Sequence, residues 1–169
     1  SLFVGLEGKF APWVGTLIED INQKIIIVSP KGKEEEAISR LSRVGFDNVL
    51  GFLDGGYDKW SRSSREIKKI KCISAKEFVN ETSSSRRNIY DVRGEDEFKI
   101  SHFPGAKNTP LKKIDKYLDE LRKSAPLYIY CKGGYRSIIA SSIISKDCDL
   151  KLINIEGGYD EIEKLNFSK

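Results

Sequence analysis

LYIYCKGGYRS, residues 127–137, joins an apolar run directly to a glycine-rich turn. The first four residues predict a buried strand, and the apolar residues after Arg136 predict a helix to about Ser145. Elsewhere, short apolar runs such as residues 88–92 alternate with segments of helical periodicity such as residues 112–123. Strands that alternate with helices predict an α/β fold, with a mostly parallel sheet and helices on both faces.

Cys131 lies where the predicted strand ends, and ligands on parallel sheets bind at the carboxyl ends of strands. Gly133 and Gly134 allow the loop to curl with its backbone N–H groups turned inward. The helix that follows adds the positive end of its dipole, and Arg136 adds a permanent positive charge. This pattern predicts an anion-binding loop around a thiolate nucleophile, with Lys132 at the rim to attract an anionic substrate.

The other two cysteines, Cys72 and Cys148, have no comparable surroundings, and we predict that both are packing residues. A lone cysteine after a buried strand is often a packing residue too, so only its neighbours favour a chemical role for Cys131. Three cysteines without a Cys-x-x-Cys pair argue against a disulfide scaffold. A single histidine argues against a zinc site, and we expect no bound metal.

Composition narrows the classes of function. The 169 residues carry a net charge of +4, which is too weak an excess to indicate a nucleic-acid partner. The basic stretch of residues 62–71 predicts a solvated linker rather than a binding patch. The sequence has no run of about 18 apolar residues that would predict a transmembrane helix, and its N-terminal residues lack a signal-peptide pattern. We therefore expect a cytoplasmic protein with no membrane partner.

The tetrapeptide Gly-Gly-Tyr-Asp occurs at residues 55–58 and again, at an offset of 102 positions, at residues 157–160. With the same offset, the apolar run at 25–28 falls on that at 127–130, which indicates two copies of one α/β unit. The second copy has a long upstream part, whereas only residues 1–24 precede the strand of the first. We therefore predict a truncated module at 1–61, a linker at 62–69 and a complete module at 70–169.

Only the second copy carries the residues that the chemistry needs. The position of Cys131 is occupied by Ser29 in the first copy, and that of Arg136 by Glu34. The first copy thus has a hydroxyl and a carboxylate where the second has a thiol and a cation. We predict that the first module is catalytically inactive.

The segment Cys131–Ser137 resembles the active-site loop of rhodanese-family sulfurtransferases. Three further blocks at suitable spacing resemble other parts of the family, and the resemblance covers nearly the whole second module, residues 70–165. These blocks are Asp91-Val92-Arg93 followed by Glu97-Phe98, then His102–Leu111, and the closing Ile155–Tyr159. The resemblance implies a rhodanese-like α/β fold.

The resemblance also implies that sulfane sulfur moves from thiosulfate or a persulfide to a thiol or cyanide, through a persulfide on Cys131. It implies no metal and no organic cofactor. Asp91 and Arg93 resemble positions near the loop, where they either orient it as an ion pair or simply close the strand. His102 belongs to a structural block and is expected to be a hydrogen-bonded turn residue. The backbone N–H groups of residues 132–137 would hold the terminal sulfur. The substrate-binding residues would be Lys132, Gly133, Gly134, Tyr135 and Ser137, with Cys131 and Arg136 as the catalytic residues.

The first part of the chain resembles the inactive first module of tandem rhodanese proteins. The residues that carry this resemblance are Gly8–Gly15 and Arg43–Val49. In those proteins a metallo-β-lactamase-fold domain precedes the two modules, and some are persulfide dioxygenase–sulfurtransferase fusions. The resemblance implies that an upstream domain of this type is a partner within the same protein.

Two other functions remain open at the level of the sequence. Cysteine phosphatases and arsenate reductases use a Cys-x5-Arg loop, whereas here four residues separate Cys131 from Arg136, which makes a smaller loop. Rhodanese folds also serve as non-catalytic docking modules or as relays that pass sulfur within a larger enzyme. The retained thiol favours sulfur transfer over pure docking.

Overall fold

The computed structural model describes residues 1–82, 87–146 and 149–165, which form two compact units. The smaller unit is Val4–Lys68, and the larger combines Ser1–Phe3 with Lys69–Lys169. The elements of the smaller unit are α1 (Phe10–Leu17), β1 (Ile25–Ile27), α2 (Glu34–Ser42), β2 (Val49–Phe52) and α3 (Gly56–Ser61).

The larger unit contains a five-stranded sheet in which every neighbouring pair of strands is parallel. The spatial order of its strands is β3-β7-β6-β4-β5. The mostly parallel α/β fold predicted from the sequence is confirmed. The elements in chain order are β3 (Lys71–Ile73), α4 (Ala75–Thr82), β4 (Asn88–Asp91), α5 (Glu95–Ile100), β5 (Lys107–Asn108), a 3₁₀ helix (Leu111–Tyr117), α6 (Leu118–Lys123), β6 (Leu127–Tyr130), α7 (Tyr135–Ile144), β7 (Leu152–Ile155) and α8 (Gly158–Glu163).

Strand β6 lies in the middle of this sheet, and all four of its residues are buried, as its apolar composition predicts. Tyr128 packs against Phe78 of α4, with the two ring centroids 5.8 Å apart. Tyr130 belongs to the same core cluster as Phe78 and Phe103. A strand held on both edges and both faces provides a rigid base for the residue that follows it, which is Cys131.

The segment between β5 and β6 is not the single helix that its apolar spacing predicts. A 3₁₀ helix runs to Tyr117 and α6 begins only at Leu118. The N–H group of Leu111 donates to the carbonyl of Val92, at 3.2 Å, so the start of the segment is tied to the end of β4. Leu111 and Ile114 are both buried, and their three-residue spacing fits the period of a 3₁₀ turn.

The smaller unit has a two-stranded parallel sheet, β1–β2, whose core side packs against α1 and α2. Its Gly-Gly turn adopts the backbone conformation of the turn in the larger unit. The φ angles are +71° and +55° at Gly55 and Gly56, and +70° and +58° at Gly157 and Gly158. None of the helices in the described parts of the chain is both long enough and apolar enough to cross a membrane.

Candidate active site

Cys131 directly follows β6 and is only 1% exposed. Its Sγ accepts the backbone N–H of Gly134 at 3.2 Å. Gly134 caps α7 with a φ of +97°, in the left-handed region that favours glycine, and the ten-residue helix begins at the next residue, Tyr135. The thiol therefore lies against the first turn of α7, where unpaired N–H groups and the helix dipole stabilise negative charge on sulfur.

Helix α8 holds the other side of this loop. The N–H groups of Tyr159 and Asp160 donate to the carbonyls of Cys131, at 2.7 Å, and Lys132, at 3.1 Å. In a trans peptide the carbonyl and the next N–H point in opposite directions, so the N–H groups of Lys132 and Gly133 point away from α8. The orientation of the loop amides thus depends on the position of α8.

The close approach of α8 to the loop requires a glycine at position 158. A Cβ built on Gly158 would lie within 3.0 Å of the carbonyl oxygens of both Cys131 and Lys132. The φ of +58° at Gly158 is also one that other residues rarely adopt. The second glycine of the repeated Gly-Gly-Tyr-Asp motif therefore allows α8 to pack directly against the cysteine loop.

Arg136 forms an ion pair with Glu97 of α5. Its Nη1 and Nη2 atoms donate to the carboxylate at 2.6 and 2.8 Å, and Glu97 Oε2 also accepts the N–H of Gly94 at 3.1 Å. The Arg136 side chain, above all, lowers the pKa of Glu97 from 4.5 to about 2. The positive charge predicted at position 136 is thus paired with the carboxylate of Glu97. This ion pair connects the start of α7 to the start of α5.

Asp91 and Arg93 form a buried ion pair at the carboxyl end of β4. Arg93 Nη2 donates to Asp91 Oδ2 at 2.7 Å and to the carbonyl of Ser101 at 2.6 Å. The guanidinium carbon lies 4.1 Å from the ring centroid of Tyr159, whose N–H holds the Cys131 carbonyl. The pair is therefore connected to the cysteine loop through α8, without touching the thiol itself.

The remaining predicted loop residues differ in their exposure. Lys132 and Gly133 are exposed, whereas Tyr135 is half-buried. Ser137 is buried, and its hydroxyl donates to the carbonyl of Gly134 at 2.9 Å, which closes the turn. Lys132 has no ion-pair partner within the described ranges of the chain.

Two further sequence predictions concern residues outside the loop. His102 is exposed, with its Nδ1 2.8 Å from the Phe98 carbonyl and its ring stacked on that of Phe98. The prediction that Cys72 is a packing residue is wrong, because the edge position of β3 leaves Cys72 exposed. Cys148 lies outside the described residues.

Among the residues that the structure describes, no group of three or more His, Cys, Asp and Glu side chains could hold a metal ion.

Four further residues contact the loop or the segments that position it, and the sequence analysis assigned no role to any of them. Asn108 Nδ2 donates to the backbone carbonyls of both Asp91 and Arg93, at 3.0 Å each, and so fixes the end of β4. The other three act through the contacts described above. The four are Glu97, Asn108, Gly158 and Tyr159.

The family model of the rhodanese-like domain matches residues 74–165, which is more than half of the chain. YrkF of Bacillus subtilis, a proposed sulfur carrier protein, is 33% identical over 107 residues, which cover 63% of this chain and 57% of YrkF. The uncharacterised protein YqhL of the same organism is 30% identical over 90 residues, which cover 53% of this chain and 70% of YqhL. The chain thus spans little more than half the length of YrkF.

A solved structure shares the same arrangement of strands and helices. The crystal structure of a rhodanese-like domain protein from Staphylococcus aureus superposes with a TM-score of 0.51 and is 30% identical. The superposition covers 55% of this chain and 91% of the Staphylococcus protein. The similarity therefore extends over almost the whole of a one-domain protein.

Proposed function

The chain belongs to the rhodanese-like domain family, and on this premise we propose that its larger unit transfers sulfane sulfur through a persulfide on Cys131. The donor is thiosulfate or a persulfide, and the acceptor is a thiol or cyanide. The observation that carries the proposal is the contact of Cys131 Sγ with the Gly134 N–H at the first turn of α7. Both a thiolate and a terminal persulfide sulfur are anions that such a site stabilises.

The reaction consists of two displacements at sulfur. The Cys131 thiolate attacks the outer sulfur of thiosulfate; a new S–S bond forms, the old one breaks, and sulfite leaves with the electron pair. An acceptor thiolate or cyanide then attacks the terminal sulfur of the Cys131 persulfide. The Cys131 thiolate leaves, and ping-pong kinetics follow because the donor product departs before the acceptor reacts.

The geometry suggests a distinct role for each loop residue. We assign the binding of the terminal sulfur to the N–H groups of Lys132 and Gly133, and their orientation away from α8 supports this assignment. The exposed Lys132 ammonium attracts the anionic donor. Arg136 is a positioning residue, since its guanidinium is bound to Glu97 and fixes the start of α7.

The burial of Cys131 favours a second candidate within the same chemistry, a relay that receives sulfur from another protein thiol. At 1% exposure, the sulfur is protected from water and from random thiols, as suits a carrier. YrkF, which is similar over 107 residues, is itself a proposed sulfur carrier. A relay would accept sulfur from a persulfide donor much faster than from free thiosulfate.

We also propose a larger context, which rests on the sequence. The smaller unit, with Ser29 and Glu34 in place of the thiol and the cation, is an inactive copy of the same module. Its resemblance to tandem proteins favours an upstream metallo-β-lactamase-fold domain as the sulfur source or recipient. The residues that carry this resemblance are 8–15 and 43–49.

The test is a turnover assay with thiosulfate and cyanide that measures thiocyanate, with a cysteine persulfide as alternative donor. The account predicts turnover by the wild-type chain and its loss in Cys131→Ser. Cys72→Ser is the matched control, because Cys72 is an exposed cysteine in the same unit, and it should retain full activity. Activity in Cys131→Ser equal to the wild type would refute the proposal, and turnover with the persulfide alone would favour the relay.

A further inference from the structure

Asp160, in the first turn of α8, lies beside the cysteine loop. Its N–H group donates to the carbonyl of Lys132 at 3.1 Å. One of its carboxylate oxygens, Oδ2, lies 3.9 Å from the position that a Cβ would take on Gly133. Asp160 is exposed, so its negative charge is located at the protein surface next to the loop. The two displacements at sulfur do not require this charge.

The carboxylate of Asp160 is close enough to the thiol for an electrostatic effect. Gly134, the neighbour of Gly133, donates its N–H to Cys131 Sγ at 3.2 Å. With standard bond lengths, Asp160 Oδ2 is therefore at most about 11 Å from Sγ. The Debye length is about 10 Å at 0.1 M salt, so at lower salt the charge of Asp160 acts on an ion that approaches the thiol.

Asp160 also changes the balance of charge around the loop. Lys132 and Arg136 are the two cations within the loop sequence, and Arg136 is bound to Glu97. Asp160 has no ion-pair partner among the residues that the structure describes, so its charge is not neutralised by a bound cation. The two carboxylates offset the two cations, and these four side chains together give the loop no net charge.

The charge of a sulfur donor therefore affects how well it approaches Cys131. Thiosulfate carries two negative charges, so Lys132 attracts it and Asp160 repels it. The persulfide of an aminothiol carries an ammonium group besides its anionic sulfur. When the sulfur is bound by the loop N–H groups, the ammonium group is attracted by Asp160.

We propose that Asp160 is a specificity-determining residue that favours aminothiols and their persulfides over thiosulfate and other dianions. The inference rests on the proposed sulfur transfer through Cys131 and adds the class of substrate. In the acceptor step, the aminothiol thiolate forms a bond to the terminal sulfur of the Cys131 persulfide. The bond between the two persulfide sulfurs breaks, and its electron pair leaves with the Cys131 thiolate.

Alkylation of Cys131 measures the effect of Asp160 without sulfur transfer. Iodoacetate is an anion and iodoacetamide is neutral, and both lose iodide to the same thiolate, so the ratio of their rates reports the electrostatic potential at the thiol. Mass spectrometry of the Cys131 peptide gives both rates. Asp160→Asn should raise the iodoacetate-to-iodoacetamide ratio about two- to fivefold at low salt, and high salt should abolish the increase. The ratio at the exposed Cys72 should not change.

Asp119→Asn is the matched control, because it removes the same charge at a distant place. Asp119 is an exposed aspartate of α6, which precedes the amino end of β6, whereas Cys131 follows the carboxyl end. Its substitution should leave the ratio at Cys131 as in the wild type. Asp160 also stabilises the helix dipole of α8, but a loss of folded protein cancels when two reagents are compared on the same variant.

Turnover identifies the class of substrate. With thiosulfate as donor, the release of sulfite is measured with cysteamine, which carries an ammonium group, and with the neutral mercaptoethanol as acceptors. In ping-pong kinetics, kcat/KM for each substrate reports its own half-reaction. Asp160→Asn should lower the ratio of kcat/KM for cysteamine to that for mercaptoethanol about two- to fivefold. It should raise kcat/KM for thiosulfate by a similar factor.

The outcomes separate this inference from the proposed function. Equal ratios for an active wild type and Asp160→Asn in either assay would overturn the inference and leave sulfur transfer through Cys131 intact. A wild type that shows no turnover with any of these substrates would refute the proposed function, and the choice of substrate with it.

Discussion

Arg136 donates both of its terminal nitrogens to the carboxylate of Glu97, 39 residues earlier in the chain. The pair joins the first turn of α7, which lies against the thiol, to the first turn of α5. A cation five residues after the cysteine looks, in the sequence, like a group for the substrate. In the structure that cation is bound to the carboxylate of Glu97, which connects it to α5.

Glu97→Gln should lower the stability of the protein in a pH-dependent way. The folded pKa of Glu97 lies at about 2, below its usual 4.5, so the ion pair contributes stability above pH 4.5 that is lost as the pH falls through about 2. Because more than a third of this side chain is exposed, we expect a difference of only about 1 kcal/mol at pH 7. Urea unfolding of both proteins at pH 7, 4 and 3 measures it.

The difference between wild type and Glu97→Gln should shrink as the pH falls below 4.5, because the carboxyl group of the unfolded wild type takes up a proton there whereas the folded one, with its pKa of about 2, still carries its charge. A difference that stays constant from pH 7 down to pH 3 would mean that the ion pair contributes no stability. Glu95→Gln is the matched control on the same helix turn, and its exposed pair with Lys113 should leave the unfolding midpoint nearly unchanged.

Gly158→Ala should disrupt the cysteine loop. The new Cβ would collide with the carbonyl oxygens of Cys131 and Lys132, in a backbone conformation that alanine rarely adopts. Gly105→Ala is the control, because Gly105 has a similar φ of +79° and open space around its Cβ position. Thermal unfolding should show a loss of about 1–2 kcal/mol for Gly105→Ala. Gly158→Ala should lose about 1–3 kcal/mol more, together with sulfur transfer. Equal losses in the two variants would contradict the packing of α8 on the loop.

Asp91→Ala should be strongly destabilising. Asp91 and Arg93 are both buried, and removal of the carboxylate would leave a buried guanidinium without its partner. Breaking a buried pair in this way costs about 3–5 kcal/mol. Denaturant unfolding measures this loss, and the Asp91→Leu, Arg93→Met double variant should recover part of it. A loss below about 1 kcal/mol for Asp91→Ala would show that water reaches Arg93.

Lys132→Gln should weaken the use of an anionic donor without changing the fold. Lys132 is exposed and directly follows Cys131, so the loss of its charge should lower kcat/KM for thiosulfate by about three- to tenfold at low salt. The effect should diminish at high salt, because surface charges are screened. Lys112→Gln, an exposed lysine elsewhere in the same unit, is the control. Equal kcat/KM values for the wild type and Lys132→Gln at low salt would remove Lys132 from donor binding.

The sequence predicted the architecture of the larger unit well because its strands are short apolar runs that glycine-rich turns delimit. The pattern Ser74-Ala75-Lys76-Glu77 is that of a capping box, and the structure has one: the Ser74 and Glu77 side chains bind each other's backbone N–H groups at 3.2 and 2.8 Å. The strand of only two residues, Lys107–Asn108, was missed, since a pairing this short leaves no periodic pattern.

The site was predictable only as far as its residues are contiguous in sequence. The loop from Cys131 to Ser137 can be read as strand, glycine turn and helix start, and the structure has these elements. The ion pair of Arg136 with Glu97 and the hydrogen bond of Tyr159 to Cys131 join distant segments. Local patterns do not encode such pairings, because the folded sheet brings the segments together.

The central claim is that Cys131 carries sulfur, and mass spectrometry tests it most directly. The intact chain and its peptides are measured after incubation with excess thiosulfate or a cysteine persulfide, for the wild type, Cys131→Ser and Cys72→Ser. The account predicts one additional sulfur atom on the Cys131 peptide of the wild type and of Cys72→Ser, which cyanide or a thiol removes, and none in Cys131→Ser. No added sulfur on the Cys131 peptide with either donor would contradict the account.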